Sequence, residues 1–131
     1  MATYDFEVAE HIGAEPAVVF DAWMSSEGHT QMTGAEAHVD PRVGGVFNAW
    51  NGYINGTTTL LVPHRRVVQS WRTADFAVED PDSTIDVTFE PVAGGTYIVI
   101  RHRGVPEGQR GYEEGGWAQS YFTPMKAYFQ R

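Results

Sequence analysis

Residues 112–131 read Tyr-Glu-Glu-Gly-Gly-Trp-Ala-Gln-Ser-Tyr-Phe-Thr-Pro-Met-Lys-Ala-Tyr-Phe-Gln-Arg. Trp117, Tyr121, Met125 and Tyr128 recur at i, i+4, i+8 and i+11, and Phe122 and Phe129 widen the stripe. This is the spacing of an amphipathic helix whose apolar face is well over ~100° wide. Its residues are unusually large for a core helix. Pro124 cannot donate to the Ser120 carbonyl, so a kink or interruption is expected there. A terminal helix of this kind needs a broad apolar surface to lie against.

The preceding chain supplies one. Thr3 to Ile12 alternates, with Tyr4, Phe6, Val8 and Glu10 on one side and Asp5, Glu7 and Ala9 on the other, which predicts a strand. Pro16 suits a first helical turn, and Val19, Phe20 and Trp23 share a helical face. Ser25 to Thr33 is polar and reads as a second short helix or a mobile loop. Strands are then expected over Val43 to Trp50, Tyr53 to Val62, Arg66 to Thr73, Thr84 to Glu90 and Thr96 to Arg103. Asn51-Gly52 marks a hairpin turn, and Gly104 to Gly111 reads as a loop. Ile85, Val87 and Phe89 face inward. Strands bracketed by helices indicate an α+β fold, with helices on one face of an antiparallel sheet. The expectation is a curved sheet of about six to seven strands wrapped around the long C-terminal helix, with two short helices after the first strand.

The 131 residues fit one domain, residues 1–131. The absence of cysteine removes thiol catalysis, disulfides and thiolate metal sites. A formal charge of −8, from 17 acidic and 9 basic residues, disfavours nucleic acid and anionic membrane surfaces as partners. No apolar run reaches the ~18 residues of a membrane span, and the N-terminus lacks the basic-then-apolar pattern of a signal peptide. A cytoplasmic location is the expectation.

Six local patterns then fall in order. They are Val18-Val19-Phe20-Asp21-Ala22-Trp23, Arg42-Val43-Gly44-Gly45-Val46-Phe47, Val67-Val68-Gln69-Ser70-Trp71, Val87-Thr88-Phe89-Glu90-Pro91, Gly94-Gly95-Thr96 and Gly116-Trp117-Ala118-Gln119-Ser120-Tyr121. Together they resemble the family named after the C-terminal domain of the activator of Hsp90 ATPase, within the START-like superfamily (SRPBCC, Bet v 1-like). The resemblance implies the helix-grip fold and a ligand cavity. Members often carry a tryptophan pair near the end of the second helix, where this chain has His29-Thr30-Gln31-Met32-Thr33-Gly34, so a less aromatic wall or a wider entrance is expected. Eukaryotic activators carry a separate N-terminal domain besides, and Hsp90 is not the expected partner.

His11, His29, His38, His64 and His102 show no metal-ligand spacing, and no phosphate loop, nucleophile elbow or dinucleotide fingerprint occurs. No catalytic residue, metal or cofactor is therefore expected. His102 follows Ile98 and Ile100 on the inward side of its strand, either as a satisfied core residue or as a polar group that orients a ligand or moves a proton. Trp23, Phe47, Trp71, Val87, Phe89, Ile98, Ile100, His102, Trp117 and Tyr121 are the candidates for lining an apolar pocket. Trp50 is expected at an edge or interface. The expected function is non-enzymatic binding of a small hydrophobic molecule such as a lipid, polyketide or aromatic metabolite. Two other readings stay open: a cyclase- or hydrolase-like enzyme using the same cavity, and a protein-partner or stress-response module that could homodimerise.

Overall fold

A computed structural model describes residues 2–109 and 111–130. Strand β1 (Thr3–Ile12) leads into helices α1 (Pro16–Trp23) and α2 (Ser26–Thr33). Six strands follow: β2 (His38–Val39), β3 (Val46–Ala49), β4 (Ile54–Val62), β5 (Arg66–Thr73), β6 (Ser83–Val92) and β7 (Gly95–Pro106). All pair antiparallel in one curved seven-stranded sheet of order β1-β7-β6-β5-β4-β3-β2. The terminal helix begins with π-helical turns at Tyr112–Gly116 and Ala118–Phe122 and ends as α3 (Thr123–Tyr128). The α+β helix-grip architecture expected from the sequence is the one observed. No helix among the described residues is long and apolar enough to cross a membrane.

The periodicities explain the packing. On α1, Val19, Phe20 and Trp23 are buried. On the terminal helix Trp117, Tyr121, Phe122 and Met125 are buried, as the i, i+4, i+8 stripe requires. The sheet's inward row crosses five strands: Phe6 pairs with His102, His102 with Ile85, Ile85 with Gln69, and Gln69 with Thr58. Beneath it Val87 and Ile100 pair, then Phe89 and Ile98, all four fully buried. Each such side chain contributes roughly 1.5–3 kcal/mol of transfer free energy.

Several local expectations change. The strand expected over Val43 to Trp50 is only Val46–Ala49, and Ser25 to Thr33 resolves into a helix, Ser26–Thr33, with the Ser25 hydroxyl accepting the Gly28 N–H at 3.0 Å. Asn51-Gly52 does not make a two-residue turn. Ala49 pairs with Ile54, so four residues, Trp50 to Tyr53, form the loop. Gly104 does not end its strand. It takes φ 70° at a bulge, where pairing shifts from Tyr4–Val105 to Phe6–His102 and the Asp5 carboxylate accepts the Gly104 N–H at 2.9 Å. Pro124 does not break the terminal helix. Phe122 and Thr123 keep right-handed helical angles, and the proline occupies the first turn of α3, where the wide turns give way to α geometry. The expected end of this helix at Arg131, and Arg110 within the expected loop, lie outside the described residues.

Candidate binding site

The loop between β3 and β4 and the first half of the terminal helix face each other across a cleft of ≈ 340 Å³. The loop side carries Trp50 and Tyr53, the sheet carries Ile54 and Trp71, and the helix carries Tyr112, Gly116, Trp117, Ser120 and Tyr121. Trp50, Asn51 and Gly52 take φ of 53°, 60° and 88°, three successive left-handed residues that turn the loop over the cleft. Tyr53 is fixed by its hydroxyl donating to Asp75 at 2.6 Å. Six aromatic rings line the space, and among the described residues no charged side chain does.

Behind this wall the interior is filled. Ring centroids lie 5.5 Å apart for Trp71–Trp117, 5.1 Å for Trp117–Tyr121 and 5.2 Å for Trp23–Tyr121. A polar lattice threads through these rings. The Trp117 indole N–H donates to His102 Nδ1 at 3.1 Å, His102 Nε2 lies 2.9 Å from the Ser83 hydroxyl, and that hydroxyl donates to the Trp71 carbonyl at 2.6 Å. His29 Nδ1 lies 2.9 Å from the Trp23 carbonyl, and its Nε2 lies 2.7 Å from the Tyr121 hydroxyl. The Trp23 indole donates to Gln69 at 3.1 Å, and the Gln69 amide donates to Thr58 at 3.1 Å. Buried polar groups are tolerated when satisfied in this way.

Burial pushes His102 down to about 3 and His29 down to about 4, the latter against the opposing effect of the Trp23 carbonyl. Both rings are neutral at ordinary pH. Burial also raises the Tyr121 phenol far above its usual value and Tyr112 to about 12, so both remain protonated donors. With both nitrogens engaged and no edge on the cleft, His102 has the surroundings of a satisfied core histidine.

Of the residues expected to line a pocket, Trp71, Trp117 and Tyr121 border this cleft. Trp23, Val87, Phe89, Ile98, Ile100 and His102 lie in the packed interior. Phe47 is buried at the edge of a separate, more open groove of ≈ 520 Å³, whose walls include Asn48, Asn55, Thr57, Ser70 and Arg72. Trp50, expected at an edge or interface, lies on the rim of the cleft. Sequence reasoning also missed Tyr53, Ile54, Tyr112, Gly116 and Ser120 as lining residues, along with the buried His29 and Gln69. Two signals were present. His29, Met32 and Thr33 form an i, i+3, i+4 face, and Val67, Gln69, Trp71 and Thr73 alternate along β5. Among the described residues no group of three or more His, Asp or Glu could hold a metal ion.

Several known proteins are similar to this chain. The family described as "Activator of Hsp90 ATPase homolog 1-like protein" matches residues 13–130. The human activator of 90 kDa heat shock protein ATPase homolog 1 is 29% identical over 114 residues, covering 87% of this chain and 33% of that protein. The Dictyostelium discoideum homologue is 24% identical over 129 residues, 97% of this chain and 33% of that one. The chain thus spans about a third of the length of these curated relatives. Among solved structures, an HSP90 activator from Plasmodium falciparum aligns with TM-score 0.80 and 27% identity over 94% of each chain. CalU16 from Micromonospora echinospora aligns with TM-score 0.76 and 23% identity over 96% of this chain and 76% of that one, a likeness of fold.

Proposed function

The chain belongs to the activator of Hsp90 ATPase homolog 1-like family, and from that premise we propose that it is a non-enzymatic binding protein for a small hydrophobic molecule. The observation that carries this reading is the aromatic cleft of ≈ 340 Å³ between the β3–β4 loop and the terminal helix, with no charged side chain on its walls among the described residues. Small-molecule sites are concave and mostly apolar, with a few placed polar groups. Here the Tyr112 and Ser120 hydroxyls supply the polar groups. Among the described residues nothing in the lining resembles a nucleophile with an adjacent base, which favours binding over turnover.

The test is a titration with Nile red, a neutral fluorophore, compared between the wild-type chain and Ser120→Phe. Ser120 is half-buried on the helix, so a ring there fills the cleft while the core behind it stays intact. Saturable binding that the substitution weakens tenfold or more supports the reading. Equal binding to both proteins, or none to the wild type, removes it.

A second reading, action on the Hsp90 chaperone, is favoured by one observation. The solved chain of the Plasmodium falciparum protein described as an HSP90 activator is covered over 94% by this chain. A solved chain of this size therefore carries that description in a relative. Stimulation of an Hsp90 ATPase by the purified chain would support this second reading, and its absence at saturating concentration would exclude it.

A further inference from the structure

Two unusual features fall on one residue at the rim of the cleft. Trp50 holds a left-handed backbone, φ 53°, a sparsely populated conformation for a bulky side chain. Its indole nitrogen is closed off from solvent and has no hydrogen-bond partner among the described residues. A buried donor without an acceptor is rare in native proteins. The turn itself requires neither feature. Glycine or asparagine would take the same backbone angles with less strain, and phenylalanine would give an apolar wall with no orphaned N–H.

We infer that Trp50 reads the ligand: the cleft takes an uncharged aromatic molecule that presents an acceptor oxygen or nitrogen to the Trp50 indole N–H. This rests on the cleft being a binding site, as proposed above. The walls fit the class. Trp50, Trp71, Trp117, Tyr53, Tyr112 and Tyr121 offer faces and edges for offset stacking, and among the described residues no side chain there would balance a charge. Gly116 and Ser120, four residues apart on the helix, carry little side chain, so a flat molecule can lie against the helix there. A cavity of roughly 150 Å³ admits one benzene ring, so ≈ 340 Å³ corresponds to about two. The N–H is enclosed in the described conformation, so this reading requires the Trp50–Tyr53 loop to shift before an acceptor reaches it.

The experiment uses two probes: prodan, a neutral naphthalene ketone, and its dimethylaminonaphthalene parent, which lacks the carbonyl. Both are titrated against the wild-type chain and Trp50→Phe. The expected result is a preference of about tenfold for the ketone in the wild type, the size of one hydrogen bond, and no preference in the variant. If both probes bind the wild type equally, or the preference survives in Trp50→Phe, Trp50 reads nothing, although the cleft still binds. If neither probe binds the wild type, the binding reading falls and this inference with it. Should Trp50→Phe fail to fold, the indole N–H resonance of Trp50 in the wild-type chain decides. It moves downfield with the ketone and not with the parent, and the same response to both overturns the inference.

Discussion

The indole N–H of Trp117 donates to Nδ1 of His102 at 3.1 Å, tying the terminal helix to strand β7, next to the edge strand β1. An indole can only donate, so this nitrogen of His102 carries no proton and the other one does. The proton on Nε2 is then directed at the Ser83 hydroxyl, which donates onward to the Trp71 carbonyl. One turn further along the helix the polarity reverses. The Trp23 carbonyl can only accept, so His29 is protonated at Nδ1 and its Nε2 accepts from the Tyr121 hydroxyl. The helix is thus held by two neutral histidines, one receiving from an indole and the other from a phenol.

The two rings should therefore occupy opposite tautomers. Nitrogen-15 spectra of the side chains are expected to place the proton on Nε2 in His102 and on Nδ1 in His29, with neither ring titrating above about pH 5. Matching tautomers, or an ordinary titration of either ring near its unperturbed value, would break the hydrogen-bond assignment.

Stability should depend on pH through the same pair. In the unfolded chain both histidines titrate near 6.5, while in the folded protein burial holds them at about 4 and about 3. A histidine with a lowered folded pKa favours the folded state above its unfolded value and loses that contribution as pH falls toward the folded one. Each contributes a slope of about 1.4 kcal/mol per pH unit once the unfolded chain is protonated. The combined loss between pH 6 and 4 should approach ~3 kcal/mol per unit. Asp86, held low by its hydrogen bonds to Arg66, adds a loss of the same sign at still lower pH. Urea unfolding from pH 7 to pH 4.5 measures the slope, and His102→Asn should reduce it by about one proton. A flat profile in the wild type would contradict the buried, neutral state of both rings.

The fold was legible because it rests on period and spacing. The alternation of Ile85, Val87 and Phe89 and the stripe of Trp117, Tyr121 and Met125 place those residues whatever their partners. The site was less so, because its walls come from positions that period does not control. Trp50 belongs to a loop whose left-handed backbone releases it from the alternation of β3, so the strand pattern does not place it on the cleft. Gly116 and Ser120 line the cleft through the smallness of their side chains, which no hydrophobic pattern marks. His29 and Gln69 are polar residues on inward faces, each satisfied by a partner distant in sequence that periodicity does not identify. Conversely Val87, Phe89, Ile98 and Ile100 were correctly turned inward, and the interior they face is filled by Trp23, Phe20 and the terminal helix.

Trp117→Phe should expose the dependence of the core on that first hydrogen bond. The substitution keeps an aromatic ring but leaves His102 Nδ1 buried without a donor, which costs about 1–3 kcal/mol, with a further loss for the volume removed. In a His102→Leu background the hydrogen-bond part of that cost disappears. A double-mutant cycle from chemical denaturation should therefore give a coupling of ~1 kcal/mol or more. Additive losses would mean that the two side chains are neighbours without being partners.

Two glycines should respond to alanine in opposite directions. Gly56 lies on β4 opposite Phe47 of β3, with β5 on the other side. A methyl group there would sit 1.9 Å from the Ser70 carbonyl oxygen and 2.5 Å from the Phe47 ring. The oxygen is backbone and cannot move aside without disturbing the ladder, where the Ser70 hydroxyl also accepts the Thr57 N–H at 2.9 Å. Gly56→Ala should cost ~3 kcal/mol or more, at the upper end of overpacking effects. Gly115, in the first turn of the terminal helix, has open space where an alanine methyl would stand, with nothing within 4 Å, and no left-handed backbone to preserve. Glycine inside a helix is about 0.5–1 kcal/mol worse than alanine, so Gly115→Ala should stabilise by that amount. Thermal unfolding separates the two outcomes. Loss of stability in Gly115→Ala would mean that the π-helical start of this segment depends on glycine for its geometry, and that the helix is poised there against ordinary α-helical winding.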